Sequence, residues 1–278
     1  NTGFGNIDER QTLLAVFAQD EWALHEGWAL TLGARNDDFD TFGRATTGRG
    51  TIAWQAVPRR LKVRASYGTA FRSPSFLDLY GRSAFYVGNP LLRPERARGW
   101  DAGWDYEVAS QRVTLSATWF ETRFNDLIAN TPDFRSVENI QRARTRGLEV
   151  SGRAVLAGGT YFSGSYTWLE ADSLTSGTRL LRRPRHRVHA DVSRDLTRRL
   201  LAGVGVGWTA QREDVHARTF ARVDGEDYTV VRAYASWQAG ERVTLKLRLE
   251  NLLGERYEEV NGYPGLGFGA FGGVEWRF

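Results

Sequence analysis

The stretch Val243–Glu250, V-T-L-K-L-R-L-E, decides the fold. Val243, Leu245, Leu247 and Leu249 fall on one side of it, and Thr244, Lys246, Arg248 and Glu250 on the other. A period of two is that of a strand with one apolar face, and no helical period fits it. The same alternation recurs along the chain. Leu61, Val63, Ala65 and Tyr67 alternate with Lys62, Arg64, Ser66 and Gly68. Val113, Leu115, Ala117 and Trp119 alternate with Thr114, Ser116, Thr118 and Phe120. Trp100, Ala102, Trp104, Tyr106 and Val108 alternate with Asp101, Gly103, Asp105 and Glu107. Near the end, Val274, Trp276 and Phe278 alternate with Glu275 and Arg277.

Extended over the whole chain, the pattern predicts thirteen strands and no helix. They fall at 10–24, 28–38, 43–56, 60–70, 97–108, 111–130, 135–156, 159–171, 185–195, 198–213, 226–239, 242–255 and 266–278. Many exceed the ~5–6 residues usual in globular sheets. They suit a tilted membrane strand of ~9–11 residues. Every second connection is tight: Leu24–Gly27, Ala56–Arg59, Val108–Gln111, Leu156–Gly159, Asp195–Arg198 and Ala239–Glu241. The intervening ones include Thr69–Arg96, Ala171–Pro184, Arg212–Gly225 and Tyr257–Gly265, with short exceptions near Asp38–Gly43 and Asn130–Phe134. In an antiparallel meander, alternate connections lie at the same end. Short turns at one end and long loops at the other are the pattern of an outer-membrane barrel. A Greek-key sandwich has no reason to sort its loops by length. Trp22, Trp28, Trp54, Trp237 and Trp276 all lie near the short-turn end, which reads as an interfacial aromatic girdle. Strand propensity accounts for tryptophan in strands, but not for five at one end.

Composition agrees. With 10 Trp, 10 Tyr and 15 Phe among 278 residues, the chain has ample surface to bury, which argues against disorder. The longest apolar run, Leu13–Ala18, falls far short of the ~20 residues of a spanning helix. Barrel strands escape that test because only one of their faces is apolar. There is no cysteine, hence no disulfide, thiolate metal site or cysteine nucleophile. Methionine is also absent, even at position 1, so the chain is expected to begin inside a longer product. A missing signal peptide is then uninformative. The net charge of +4 is mild and is carried almost wholly by arginine, with Lys62 and Lys246 the only lysines. The basic residues are interspersed with 33 acidic ones, so no nucleic-acid surface is expected.

Thirteen is odd, whereas bacterial single-chain barrels close with an even number of strands. The loop order makes the first strand run from the long-loop end to the short-turn end. An odd number of strands is therefore expected upstream.

Several stretches resemble a known family. Leu249–Tyr257 (L-E-N-L-L-G-E-R-Y), Gly262-Tyr263-Pro264 and the terminal G-V-E-W-R-F are similar to the closing hairpin of TonB-dependent outer-membrane receptors. So are Tyr67–Tyr80 (Y-G-T-A-F-R-S-P-S-F-L-D-L-Y), Asn89–Arg96 (N-P-L-L-R-P-E-R) and Arg144–Val150 (R-T-R-G-L-E-V). Their order and spacing, with Leu180–Arg187 (L-L-R-R-P-R-H-R), are most similar to the cobalamin receptor subgroup. The resemblance covers essentially the whole chain. It implies a transmembrane β-barrel of 22 strands around an N-terminal plug, with this chain as the C-terminal part; large barrels of about that size are plugged transporters. Nine strands would then lie upstream, an odd number, together with the plug and the segment that engages TonB.

The same resemblance implies roles for particular residues. Phe271, Gly273, Trp276 and Phe278 resemble the signal read by the barrel-assembly machinery, which an edge strand engages by strand addition. Arg64, Glu107, Lys246, Arg248, Glu250, Glu275 and Arg277 would line the lumen and meet the plug. Cargo capture is expected in the long loops. Phe85, Tyr86 and Asn89 lie in one of them, and Arg179, Arg182, Arg183 and Arg185 form a basic cluster by another, suited to an anionic ligand or lipopolysaccharide phosphate. A charge run is more often a solvated surface. Asp224, Glu226 and Asp227 match no cation-loop spacing and read as a solvated turn.

Catalysis has little support. Of the four histidines, His25, His186, His189 and His216, the pair at 186 and 189 falls on opposite faces of a strand, against shared metal binding. No G-x-S-x-G elbow, P-loop or H-E-x-x-H is present. The expected function is outer-membrane active transport of a scarce nutrient, without a cofactor. Cobalamin is the first cargo and a ferric siderophore the second. A non-transporting barrel, adhesin or rim hydrolase, is the alternative of a different class.

Overall fold

Thirteen strands form one antiparallel sheet in a computed structural model of the chain, which describes residues 5, 7–41, 43–108 and 112–278. In chain order the elements are β1 (Leu13–His25), β2 (Trp28–Phe39), β3 (Gly43–Val57), β4 (Leu61–Arg72), α1 (Phe76–Tyr80), β5 (Glu95–Val108), β6 (Val113–Asn130), β7 (Val137–Leu156), β8 (Thr160–Ser173), β9 (His186–Thr197) and β10 (Leu200–Ala210). There follow β11 (Arg212–Val215), β12 (Arg222–Gly225), β13 (Tyr228–Gln238), β14 (Val243–Glu250), β15 (Glu258–Val260), β16 (Tyr263–Pro264) and β17 (Gly269–Trp276). The main sheet runs β1 to β10, then β13, β14 and β17, each strand pairing with its neighbour in sequence. β11–β12 and β15–β16 are separate two-stranded ribbons in the long connections. β1 and β17 are the two edges of the sheet, which is not closed.

The thirteen expected strands are all present, and the differences lie in the loops. The strand expected at 198–213 stops at Ala210. Gln211 turns left-handed (φ 55°) and gives its N–H to Asp227 Oδ1 at 2.8 Å, so Arg212–Val215 leaves the sheet and pairs with β12. The strand expected at 242–255 stops at Glu250 because Asn251 is also left-handed (φ 49°). The connection before β5 holds a one-turn helix that a period-based reading has no length to detect. Its Ser75 N-cap and Asp78 form a reciprocal capping box. Much of the expected turn at Val108–Gln111 lies outside the described residues.

The register shows a tilted wall. Directly opposed residues run Trp54–Val63–Trp104–Ala117–Val150–Tyr166–Val188–Trp208 across eight strands. The row begins three residues before the Val57 end of β3 and arrives eight residues past the Leu200 start of β10. Such a stagger is what strands inclined to a barrel axis produce. Every residue in the row is apolar or aromatic, and the intervening positions are largely polar or small. Among the described residues only nine hydrophobic ones are buried, while Leu14, Val16 and Val274 are each 70% exposed. A water-soluble sandwich buries one face of each sheet against the other. Here the apolar face has no second sheet, as expected where hydrocarbon is the solvent.

Candidate functional site

On the polar face, charged side chains neutralise one another across strands. Arg64 gives Nε to Asp105 Oδ2 (3.2 Å) and Nη2 to Thr118 Oγ1 (2.7 Å), and its Nη1 lies 3.6 Å from Asp101. Lys62 reaches Asp105 from the other side at 3.1 Å. A second cluster joins Asp191 to Tyr234, whose hydroxyl donates at 2.7 Å, and to Arg232 at 3.2 Å. Gly205 makes room for it, since a Cβ there would lie 2.6 Å from Arg232 Nε and 2.8 Å from Asp191 Oδ2. Glu107 lines a cleft of about 580 Å³ with Arg112, Arg153, Tyr161 and Asp191. In the last hairpin Lys246 pairs with Glu275 at 2.7 Å, Arg277 with Glu275 at 3.2 Å, and Arg248 with Glu250 at 3.1 Å. Opposed residues share a face, so the register puts Arg64, Glu107, Lys246, Arg248, Glu250 and Glu275 all on this polar face, and Arg277, just past the end of β17, joins them through its ion pair with Glu275.

The four residues expected to form the assembly signal divide between the faces. Trp276 lies opposite Val243 on the apolar face, and Phe278 is exposed beyond the strand end. Phe271 and Gly273 lie opposite Arg248 and Lys246 on the polar face, with the Arg248 guanidinium 4.9 Å from the Phe271 ring centre. That is cation–π distance.

At the long-loop end, four connections lock together around one carboxylate. Asp214 of β11 is fully buried. Its Oδ1 accepts from Arg182 Nε and from the Val215 N–H, both at 2.8 Å, and its Oδ2 accepts from the Asn261 N–H at 2.8 Å. Burial pushes this carboxyl upward, but the Arg182 guanidinium and the two N–H donors outweigh it and hold its pKa below the usual carboxylate range. Arg182 also sits 5.6 Å over Phe134, which packs against Phe220. Nearby, Tyr228 stacks on Tyr257 at 4.5 Å under the buried Arg212, whose Nη2 donates to the Glu258 carbonyl. These loops line an open cleft of about 860 Å³ whose walls include Phe134, Arg182, Phe220, Tyr257, Asn261 and Tyr263.

The loop residues singled out from sequence have varied surroundings. Tyr86 packs against the small core of Leu79, Leu92 and Val137, and Asn89 donates to the Val137 carbonyl at 3.1 Å. Phe85 is 79% exposed. Arg179 reaches the Gln211 carbonyl and Glu213, and Arg182 is committed to Asp214. Arg183 donates to the nearby Leu181 carbonyl at 2.8 Å. Asp227 caps Gln211, and Asp224 lies opposite Glu213 in the β11–β12 ribbon. His186 is opposite Trp168 on the apolar side and His189 opposite Ser165 on the polar side. Among the described residues no group of three or more metal-ligating side chains forms. Asp214, Phe134, Phe220 and Tyr257 were not singled out from sequence. Their only signals were a charge at a strand end and aromatics in loops.

The whole arrangement matches one family. Residues 1–252 match the family model described as TonB dependent receptor-like, beta-barrel, and the chain belongs to this family. Among its relatives is the vitamin B12 transporter BtuB of Vibrio cholerae, 27% identical over 93% of this chain and 41% of that protein. Its counterpart in Photobacterium profundum is 26% identical over 95% of this chain and 43% of that protein. The ferric enterobactin receptor PfeA of Pseudomonas aeruginosa superposes with a TM-score of 0.80 at 18% identity, over 96% of this chain and 45% of that one. The siderophore receptor PirA of Acinetobacter baumannii superposes with a TM-score of 0.80 at 13% identity, over 96% and 46%. The chain thus spans less than half the length of these relatives. The sheet is an arc of a transmembrane β-barrel wall.

Proposed function

We propose that this chain is the C-terminal barrel portion of a Gram-negative outer-membrane receptor that imports a scarce nutrient by TonB-coupled movement of a plug. In this reading the plug and nine further strands precede Asn1, and the polar face carrying Arg64, Glu107, Lys246 and Glu275 meets the plug. Cobalamin is the cargo we favour. The observation that carries it is kinship with vitamin B12 transporters along 93–95% of the chain. A ferric siderophore is the second reading, favoured by the fold likeness to PfeA and PirA. Phe85 and Arg183, the solvent-facing loop candidates, are the residues of this chain best placed to meet arriving cargo. The barrel-assembly machinery reads the terminal strand, and outer-membrane lipid covers the apolar face. No step of this function needs catalysis or a cofactor.

The test is uptake in a strain deleted for the gene and complemented with the full-length protein. Labelled cobalamin is expected to accumulate only in complemented cells with intact TonB. Accumulation of a labelled ferric siderophore instead would move the assignment to the second cargo. Equal uptake of both in deleted and complemented cells would refute transport of either.

A further inference from the structure

On the apolar face, the aromatic row formed by Trp119 and Trp168 with Leu148 between them gives way abruptly to arginine on the loop side. The next rows are Trp100–Glu121–Arg146–Glu170, then Arg98–Arg123–Arg144–Asp172, then Arg96–Asn125–Arg142. All these residues share the face of the tryptophans, so they point away from the polar face. Six arginines against three carboxylates leave an excess of positive charge. Arg98, Arg123 and Arg144 stand directly opposite one another on three adjacent strands. Neighbouring strands are ~4.8 Å apart, and like charges placed directly opposite are destabilising. The carboxylates relieve this only in part: Glu121 holds Arg123 at 2.8 Å, Glu170 holds Arg146 at 2.5 Å, and Asp172 stands 3.8 Å from Arg144. Among the described residues, Arg96, Arg98 and Arg142 have no side-chain partner and all three are exposed. Arg144 Nε is buried and lacks a hydrogen bond.

We propose that this outward-facing arginine cluster, Arg96, Arg98, Arg123, Arg142 and Arg144, binds the phosphorylated headgroup of lipopolysaccharide. The proposal rests on the outer-membrane reading above. An aromatic belt marks the headgroup level of a bilayer. Rising ~3.3 Å per residue, the arginines begin immediately beyond it on the long-loop side, where outer-leaflet headgroups lie. Guanidinium forks match phosphate oxygens in bidentate fashion, which an ammonium does not. The anion would neutralise the Arg98–Arg123–Arg144 row and offer acceptors to the unpartnered donors.

The full-length receptor, purified in detergent, would be titrated with bisphosphoryl lipid A, dephosphorylated lipid A, phosphatidylglycerol and inorganic phosphate. Bisphosphoryl lipid A is expected to bind best. The triple variant Arg98→Gln/Arg123→Gln/Arg144→Gln should weaken that binding roughly tenfold or more. If heat-modifiable migration shows that the triple variant does not fold, Arg98→Gln and Arg142→Gln, which break no intramolecular bond, are read singly. Each should weaken binding several-fold. Unchanged affinity in the folded variants overturns the proposal. So does equal binding of dephosphorylated lipid A, of phosphatidylglycerol or of inorganic phosphate. A protein that fractionates away from the outer membrane refutes the underlying reading instead.

Discussion

Asp214 has no exposed surface and three short hydrogen bonds, and it ties together loops that are distant in the chain. Arg182 is 32 residues before it and Asn261 is 47 after it. Replacing it with alanine leaves a guanidinium and two N–H groups without their acceptor. Asp214→Ala is expected to cost about 3 kcal/mol of local stability. Hydrogen exchange should report this as lost protection at Arg182, Val215 and Asn261 with the strands unaffected. The pH dependence follows from the depressed pKa. Its stabilisation is complete above the unfolded carboxyl value of about 3.9, and is lost as pH falls through the lower folded value. Loop protection should therefore hold at neutral pH and decline below about pH 4. No local pattern in R-E-D-V at 212–215 announces any of this, because the partners are supplied by other connections.

Elements end where single residues leave the extended conformation. Asn251 is 2% exposed, and its side chain bonds the Glu255 N–H at 2.8 Å and the carbonyls of Glu255 and Leu266 at 2.8 and 2.9 Å. It closes β14 and folds the last loop back over the wall. Asn251→Ala should cost about 2–3 kcal/mol, from unmet hydrogen bonds and the left-handed backbone. Faster proteolysis within 252–268 would show it. The L-E-N-L-L-G motif was legible in the sequence as a family mark, but the job of its asparagine was not. The last strand carries a different kind of prediction. With Trp276 on the apolar face and Phe278 past the strand end, the variant Trp276→Ala with Phe278 deleted should insert poorly. Expected is a several-fold lower outer-membrane level, by a strand-addition argument; an unchanged level would show that these aromatics are dispensable for assembly. The strands themselves were legible to within a few residues. The ribbons β11–β12 and β15–β16 and helix α1 were not, being too short to show a period.

At the scale of the whole molecule, the wall is one tilted sheet with a lipid-facing side, a polar side, short turns at one end and interlocked loops at the other. The uptake and lipid A experiments both ask what the full-length protein does in its membrane. By itself the sequence determined the thirteen strands, their facing and the sorting of loops by length. Alternation is a local property: successive side chains of a strand point to opposite sides whatever the rest of the chain does. Only the tertiary structure decided which charges meet across strands, that Asp214 anchors the loops, and that Arg98, Arg123 and Arg144 stand in one row. Those facts depend on register, which brings together residues 20 to 50 positions apart and is set by the pairing of whole strands.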